Sequence, residues 1–208
     1  MTLEARDLSF SYVKGTPLWD GVSLVVEPGE RVALRAPSGF GKTTFCRMLA
    51  GYLEPDEGAV FVDGEPLARR GRRPVQMVGQ HPERSLDPRM RMSASLHEAG
   101  EPDRCILDAL GIRHEWMTRY PHELSGGELQ RFCIARVLTA RPRYIVADEI
   151  STMLDAVTQA RIWRLLIDEV HMHEMGLVFV SHSPALIARV ATRVVDMERM
   201  RDACVRRP

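Results

Sequence analysis

The stretch Ala36-Pro37-Ser38-Gly39-Phe40-Gly41-Lys42-Thr43-Thr44 decides the fold of this 208-residue chain. It follows residues 31–36, an apolar run that we predict to be a strand, and it leads into a predicted helix. Glycines at two positions let the backbone turn its N–H groups toward a single bound anion. Because the start of the following helix carries partial positive charge, the stretch predicts a phosphate site at the end of a strand.

This stretch resembles the P-loop, G-x-x-x-x-G-K-[ST], of nucleotide-binding proteins. The resemblance implies that ATP is bound here, with Lys42 reaching the β- and γ-phosphates and the Thr43 hydroxyl binding Mg²⁺. The implied nucleotide-binding residues are Pro37, Ser38, Gly39, Phe40, Gly41, Lys42, Thr43 and Thr44. The alternative is a glycine-rich turn that binds no ligand.

Two positions of the loop depart from the P-loop pattern. Ala36 stands where the motif has its first glycine, so its φ angle must be negative for the loop to form. Phe40 is bulkier than expected between two glycines. Since the N–H group of Phe40 remains available to phosphate, we expect its ring to face the rim of the site.

Two acidic residues, Asp148 and Glu149, end a second apolar segment over residues 144–147, which we predict to be a buried strand. This arrangement resembles the Walker B motif followed by a catalytic glutamate. The resemblance implies that Asp148 holds Mg²⁺ through a water and that Glu149 is the general base that polarises the attacking water. A solvated strand end is the alternative, and the phosphate loop upstream favours the catalytic interpretation.

The most specific string is Leu124-Ser125-Gly126-Gly127-Glu128, ahead of a predicted helix over residues 126–140. Ser125 and Glu128 form the S-x-x-E pattern of a capping box, and the N–H groups at the helix start can bind an anion. The string resembles the signature of the ATP-binding cassette (ABC) family. The resemblance implies that Ser125, Gly126, Gly127 and Glu128 bind ATP held by a second subunit, so hydrolysis needs a dimer. The alternative is a helix cap without a ligand.

Further positions resemble landmarks of this family. Gln80 resembles the Q-loop glutamine, which contacts Mg²⁺ and senses a transmembrane partner, and residues 151–155 resemble the D-loop at the dimer interface. His182 resembles the switch histidine that contacts the γ-phosphate, and Tyr12 resembles the aromatic residue that stacks on adenine. Taken alone, Tyr12 and His182 could also be a core tyrosine and a strand-end histidine. The implied catalytic residues are Lys42, Glu149 and His182, and the implied Mg²⁺ ligands are Thr43, Gln80 and Asp148.

The order of the predicted elements gives an α/β fold class. We predict strands over residues 8–13, 22–27, 31–36, 60–62, 75–79, 144–147 and 177–180, and helices over residues 93–99, 104–110, 126–140 and 156–170. With the family resemblance, this implies one ABC ATPase domain over residues 1–208. Its P-loop NTPase (RecA-like) core covers about residues 1–82 and 141–208, with an N-terminal antiparallel β-subdomain. An inserted α-helical subdomain covers about residues 83–140.

The composition argues against direct attachment to membranes or nucleic acid. Acidic and basic residues balance at 28 each, so no global attraction to anionic polymers or lipids is expected. The sequence has no apolar run near the roughly 18 residues that span a bilayer, and its first ten residues do not resemble a signal peptide. Any attachment to a membrane must therefore come through partner chains, and the family resemblance implies a peripheral protein at the cytoplasmic face of the cell membrane. A basic cluster at residues 69–73 could contact nucleic acid or lipid, but a solvated loop is the simpler interpretation.

The segment that begins at Gln80 and contains Ser85-Leu86-Asp87-Pro88-Arg89-Met90 resembles the same region of the oligopeptide, dipeptide and nickel importers. Asp87 replaces the asparagine that is common there. The resemblance implies uptake of a peptide, nickel or a similar small solute. The implied partners are transmembrane permease subunits, a second ABC ATPase subunit and, indirectly, a solute-binding protein, without nucleic acid. The alternatives are a soluble ABC ATPase that acts on nucleic acid or ribosomes, and a P-loop kinase, a class that lacks the signature.

Overall fold

The computed structural model describes residues 2–68, 71 and 73–205. The strands are β1 (Leu3–Phe10), β2 (Trp19–Val26), β3 (Arg31–Arg35), β4 (Glu57–Val62), β5 (Glu65–Pro66), β6 (Val75–Val78), β7 (Tyr144–Asp148), β8 (Gly176–Val180) and β9 (Arg193–Asp196). The helices are α1 (Lys42–Leu49), α2 (Met92–His97), α3 (Arg104–Ala109), α4 (Gly126–Thr139), α5 (Ala156–His173), α6 (Pro184–Val190) and α7 (Met197–Val205). The strands form one antiparallel and one parallel sheet.

The antiparallel sheet has the strand order β2-β1-β4-β5, so β1 pairs on both sides. The strand predicted over residues 8–13 is present, but its predicted bounds were wrong, because β1 both begins and ends earlier. Asp7 adopts a φ of 49°, and the pairing register with β2 shifts between Ala5 and Leu8. This irregularity interrupts the alternation of buried and exposed residues along β1. The first half of the strand was therefore not predicted from the pattern of apolar residues.

The second sheet is parallel throughout, with the order β6-β7-β8-β3-β9. β7 and β8 are buried along their whole length, as their apolar runs predict. β8 begins at Gly176, where an added Cβ would lie 2.3 Å from the ring of Tyr144, so these two strands pair closely only with glycine there. Because all five strands point the same way, the segments that follow β3, β6, β7 and β8 meet at one edge of the sheet.

β7 lies between two hydrophobic clusters, one on each face of the parallel sheet. Ile145 and Ala147 pack into a cluster with α4 and α5. Tyr144 and Val146 pack into a cluster with α1 and the antiparallel sheet, which we call the α1 cluster. Because close-packed side chains hold the strand on both faces, the position of Asp148 at its carboxyl end is well defined.

The segment between β6 and β7 is helical, as predicted. It contains α2, α3, α4 and the short 3₁₀ turns Pro82–Arg84, His114–Thr118 and Pro121–Glu123. α4 begins with the predicted capping box: the Ser125 N–H donates to Glu128 Oε2 at 2.7 Å, and the Glu128 N–H donates to Ser125 Oγ at 3.4 Å. The division into subdomains at about residues 83 and 140 stays a prediction.

The part of the chain after β8 was missing from the predictions. It contains α6, the edge strand β9 and α7. The residues of β9 are exposed or only partly buried, so they form no continuous apolar run. α7 packs against β2, and Met197 at its start is fully buried. The carboxyl-terminal helix therefore lies beside the antiparallel sheet.

Two expectations concern the surface of the chain. Of the helices in the described residues, none is both long and apolar enough to cross a membrane. In the basic cluster at residues 69–73, Arg69, Arg70 and Arg72 lie outside the described residues.

Candidate active site

The phosphate loop lies between the end of β3 and the start of α1. Gly39 and Gly41 adopt φ angles of 77° and 99°, which favour glycine, whereas Ala36 is not among the residues with positive φ. The alanine is therefore compatible with the loop. Lys42 is 7% exposed, and its Nζ donates to the carbonyl oxygens of Ala36 at 3.0 Å and Pro37 at 2.8 Å. The loop closes around a buried ammonium group.

The ring of Phe40 does not face the rim of the site as expected. It is partly buried against the α1 cluster, in T-shaped contact with Trp19 at 5.6 Å between ring centroids. Packing on a buried aromatic neighbour removes apolar surface of the ring from water. The free energy gained in this way favours the packed position over an exposed position at the rim. The Phe40 N–H donates to the Pro37 carbonyl at 3.3 Å, which closes a turn within the loop.

Tyr12 and Thr44 meet at one side of the loop. The Tyr12 hydroxyl lies 3.1 Å from the hydroxyl of Thr44, which is buried in the first turn of α1. The Tyr12 ring is 66% exposed and meets Phe10 edge-on at 4.9 Å. An exposed aromatic face beside the phosphate loop is suited to stacking, and contact with adenine stays a prediction. Ser38 is exposed beside the glycines, where a phosphate can reach it.

A buried carboxylate and a hydroxyl come together next to the loop. Asp148 is 2% exposed, and its Oδ1 has no hydrogen-bond partner among the described residues. Burial raises the pKa of Asp148, and a hydrogen bond with the Thr43 side chain opposes this rise. An unpartnered buried carboxylate oxygen beside a hydroxyl fits Mg²⁺, which prefers oxygen ligands and takes its other ligands from water and phosphate.

Three predicted residues from different strand ends meet at Glu149. Its carboxylate accepts a hydrogen bond from Gln80 Nε2 at 3.2 Å, and the Nε2 of His182 lies 2.8 Å from its other oxygen. The side chain of Glu149 is 17% exposed, and its φ of 52° is unusual for glutamate. Since Gln80, Glu149 and His182 follow β6, β7 and β8, the parallel sheet is what brings them together.

The signature string lies at a separate position. Ser125 is exposed at the start of α4, and added Cβ atoms at Gly126 and Gly127 would lie 3.2 Å from Met153 Sδ and 3.3 Å from Leu154 Cδ2. Within the described residues, no hydrogen bond or ion pair joins residues 125–128 to the phosphate loop of the same chain. The two predicted anion sites of one chain are therefore not linked by such contacts, as expected if each site binds a different nucleotide.

Gln130 is a residue near the site for which no function was predicted from the sequence. This α4 residue is 2% exposed, and its Nε2 donates to the carbonyl of Gly79 at 3.3 Å. The bond ties the signature helix to the residue that precedes Gln80. The signal that could have found it is a polar side chain among the apolar positions of the helix.

A groove of about 1060 Å³ opens beside this site, between the parallel sheet and the helical segment. Thr43, Gln80 and Asp148 line its inner end. Tyr52, Arg47 and Arg136 are among the residues that line the rest, and the Tyr52 ring is 57% exposed. The groove connects the residues around Asp148 with the outer surface of the chain.

Replacing Asp148 by asparagine should separate metal binding from fold stability. Because burial raises the Asp148 pKa, the ionised carboxylate costs folding free energy, and this cost is present at pH values above the folded-state pKa. Asp148→Asn should therefore raise the melting temperature at pH 7.5 in buffer without Mg²⁺ and nucleotide. It should also weaken the further rise that Mg²⁺ with ATP produces in the unsubstituted protein. Differential scanning fluorimetry measures both effects.

Asp168→Asn is the matched control, because Asp168 forms an exposed ion pair with Arg164 on α5. It should leave both melting temperatures nearly unchanged. A lower melting temperature for Asp148→Asn than for the unsubstituted protein, in the metal-free buffer, would contradict the assignment of an uncompensated charge at this site.

A phosphate loop after one strand of a parallel sheet and two acids after another define the class of α/β P-loop nucleotide-binding proteins. The sequence profile described as "ABC transporter" matches residues 19–152. The chain belongs to the ABC transporter family. This confirms the family resemblance and the fold class predicted from the sequence.

Two relatives and one solved structure illustrate the similarity. A probable peptide ABC transporter ATP-binding protein, y4tS, from Sinorhizobium fredii is 36% identical over 86% of this chain, which spans 56% of that relative. The nickel import ATP-binding protein NikE from Escherichia coli is 34% identical over 94% of this chain and 83% of its own length. The dimeric ATP-binding cassette MJ0796 bound to ADP and Pi has a TM-score of 0.81 and 24% identity, covering 93% of each chain, which supports the fold.

Proposed function

We propose that this chain is the ATP-hydrolysing subunit of an ABC transporter that drives uptake of a peptide, nickel or a similar small solute. The contact of Glu149 with both Gln80 and His182, beside Asp148, carries the proposal. The relative named for nickel import supports uptake, and the relatives named for peptide and nickel transport favour transport over action on nucleic acid.

Lys42 and the loop backbone bind the triphosphate. The Lys42 ammonium group, held by the carbonyls of Ala36 and Pro37, lies where it can exchange these partners for β- and γ-phosphate oxygens. N–H groups of the loop and of the first turn of α1 bind the same phosphates. Thr43 and Asp148 would hold Mg²⁺, which would neutralise phosphate charge.

Glu149 accepts the proton of the attacking water. As the water oxygen bonds to the γ-phosphorus, the bond from that phosphorus to the β–γ bridging oxygen breaks, and ADP leaves with the electron pair. Gln80 and His182 orient the two carboxylate oxygens of Glu149. Because Glu149 is mostly buried and close to Asp148, its proton transfer takes place in a site partly shielded from water.

A second ABC ATPase subunit completes the site. Gly126 and Gly127 present the first N–H groups of α4 beside the exposed Ser125, away from the phosphate loop of their own chain. Apolar side chains lie exposed nearby, with Met153 49% and Val157 73% accessible. A partner placed over these residues would bring its phosphate loop to Ser125, so that each ATP is bound between two subunits.

A permease subunit binds at the groove beside Gln80. An aromatic side chain at Tyr52 and guanidinium groups at Arg47 and Arg136 suit a helix end from a membrane protein, with its exposed carbonyl oxygens. Movement of that helix reaches Gln80 and Thr43 at the inner end of the groove. The chain would thus be peripheral, at the cytoplasmic face of the membrane, and a solute-binding protein would act only through the permease.

The test combines ATP hydrolysis with recovery of membrane partners. The purified chain should hydrolyse ATP only with Mg²⁺. Tagged protein extracted from its own membranes should bring down multi-spanning permeases, and Tyr52→Arg should reduce this recovery while basal hydrolysis stays the same. Val25→Arg, at an exposed apolar residue of β2 away from the groove, is the control. A folded chain that neither binds nor hydrolyses ATP would refute the function, and permease recovery unaffected by Tyr52→Arg would refute the docking site.

A further inference from the structure

The bulky Phe40 side chain lies inside the phosphate loop, between two glycines with positive φ. On one side its ring meets Trp19, which is fully buried and packs in turn against Phe45 of α1 at 5.6 Å. The Trp19 Nε1 also donates to the Gly41 carbonyl at 3.3 Å. Trp19 thus holds two successive residues of the loop, one through its ring and one through its N–H.

A further contact of the Phe40 ring comes from α7. The guanidinium carbon of Arg201 in α7 lies 4.1 Å from the ring centroid, within the range of a cation–π interaction. Together, Trp19, Phe40 and Arg201 form what we call the Phe40 cluster. The loop is therefore held between the antiparallel sheet and α7.

The start of α7 is itself tied to the strand that leads into the loop. Asp196 accepts hydrogen bonds from the N–H groups of Glu198 and Arg199 and from the guanidinium of Arg35, the last residue of β3. Arg35 directly precedes Ala36, the first residue of the loop. The ion pair of Arg35 with Asp196 therefore connects α7 to the start of the loop, and Arg201 connects it to Phe40. The position of Arg201 over the ring is thus supported by a second, independent link.

We propose that Phe40 and Arg201 are positioning residues for the phosphate loop, and that α7 thereby sets the affinity for nucleotide. A loop with two glycines loses much conformational entropy on binding phosphate. The Phe40 cluster restricts the loop before nucleotide arrives, so less entropy remains to be lost. The proposal rests on nucleotide binding by this loop, and it goes further by giving a role to a helix outside the site.

The first test compares two arginines of the same helix. Arg201→Ala should raise the ATP dissociation constant about 3-fold, a size typical of a partly exposed cation–π pair. Arg199→Ala removes the same charge from an exposed position of the same helix, and it should leave the constant unchanged. Calorimetric titration with Mg²⁺ and ATP, in a Glu149→Gln background to prevent turnover, gives the constants. In the native background, kcat should stay within about 2-fold for both variants.

The second test is a double-mutant cycle. Phe40→Ala should raise the ATP dissociation constant about 10-fold, whereas Phe40→Tyr, which keeps an aromatic ring, should bind ATP as the unsubstituted protein does. In a chain that carries Phe40→Ala, Arg201→Ala should have no further effect on the constant. Additive effects would show that Arg201 acts through its own charge on the phosphates, and they would overturn the proposal. Equal constants for Arg201→Ala and Arg199→Ala would also overturn it. If the unsubstituted chain fails to bind ATP, the proposed function fails instead, so the two failures are distinguishable.

Discussion

Glu149→Gln is expected to lower kcat for ATP hydrolysis by about 10²- to 10⁴-fold, the contribution typical of a positioned general base. Glutamine has the same shape, and its amide can still contact Gln80 and His182, but it cannot take a proton from water. The loop and Lys42 are untouched, so ATP binding should be retained. Steady-state hydrolysis and calorimetric titration with ATP measure the two properties separately.

The same variant should make the association of subunits visible. If ATP lies between two subunits and cannot be hydrolysed, Glu149→Gln should form an ATP-dependent dimer in size-exclusion chromatography, provided that homodimers form. Glu101→Gln is the control, because Glu101 is 87% exposed and only pairs with His97 on the surface. Turnover close to that of the unsubstituted protein would remove Glu149 from the mechanism.

Lys42→Ala is expected to raise the dissociation constant for ATP by about 10²- to 10³-fold. The reason is that Lys42 is buried, and its ammonium group is held by the carbonyls of Ala36 and Pro37 at the centre of the loop. Removing one partner of a buried charged contact costs about 2–5 kcal/mol of binding free energy, which corresponds to about 30- to 4,000-fold and includes the expected range. Calorimetric titration with Mg²⁺ and ATP measures the change.

The chain offers a matched control for this substitution. Lys14 is the only other lysine in the sequence, and it is exposed. Lys14→Ala removes an equal charge and should leave ATP affinity within about 2-fold, since exposed charges contribute little. If Lys42→Ala bound ATP as tightly as Lys14→Ala, the phosphate loop would not be the nucleotide site. Weaker ATP binding in Lys42→Ala, together with retained binding and slow hydrolysis in Glu149→Gln, would assign binding to Lys42 and hydrolysis to Glu149.

The direction of the Phe40 ring could not be predicted from the sequence. The motif placed this residue in the loop, but the direction of its ring depends on Trp19 and Arg201, which come from distant parts of the chain. The bounds of β1 could not be predicted for the same reason, because the register shift at Asp7 depends on pairing with β2 and not on local propensity.

The sequence by itself determined the phosphate loop, the acids Asp148 and Glu149, and the capping box of α4. In each of these, backbone geometry and chemistry depend on residues only a few positions apart, so a local pattern is sufficient. Only the tertiary structure decided that Glu149 contacts Gln80 and His182, which lie 69 and 33 positions away. The order of strands in the parallel sheet sets which strand ends are neighbours, and that order arises from packing on both faces of the sheet, which no local pattern encodes.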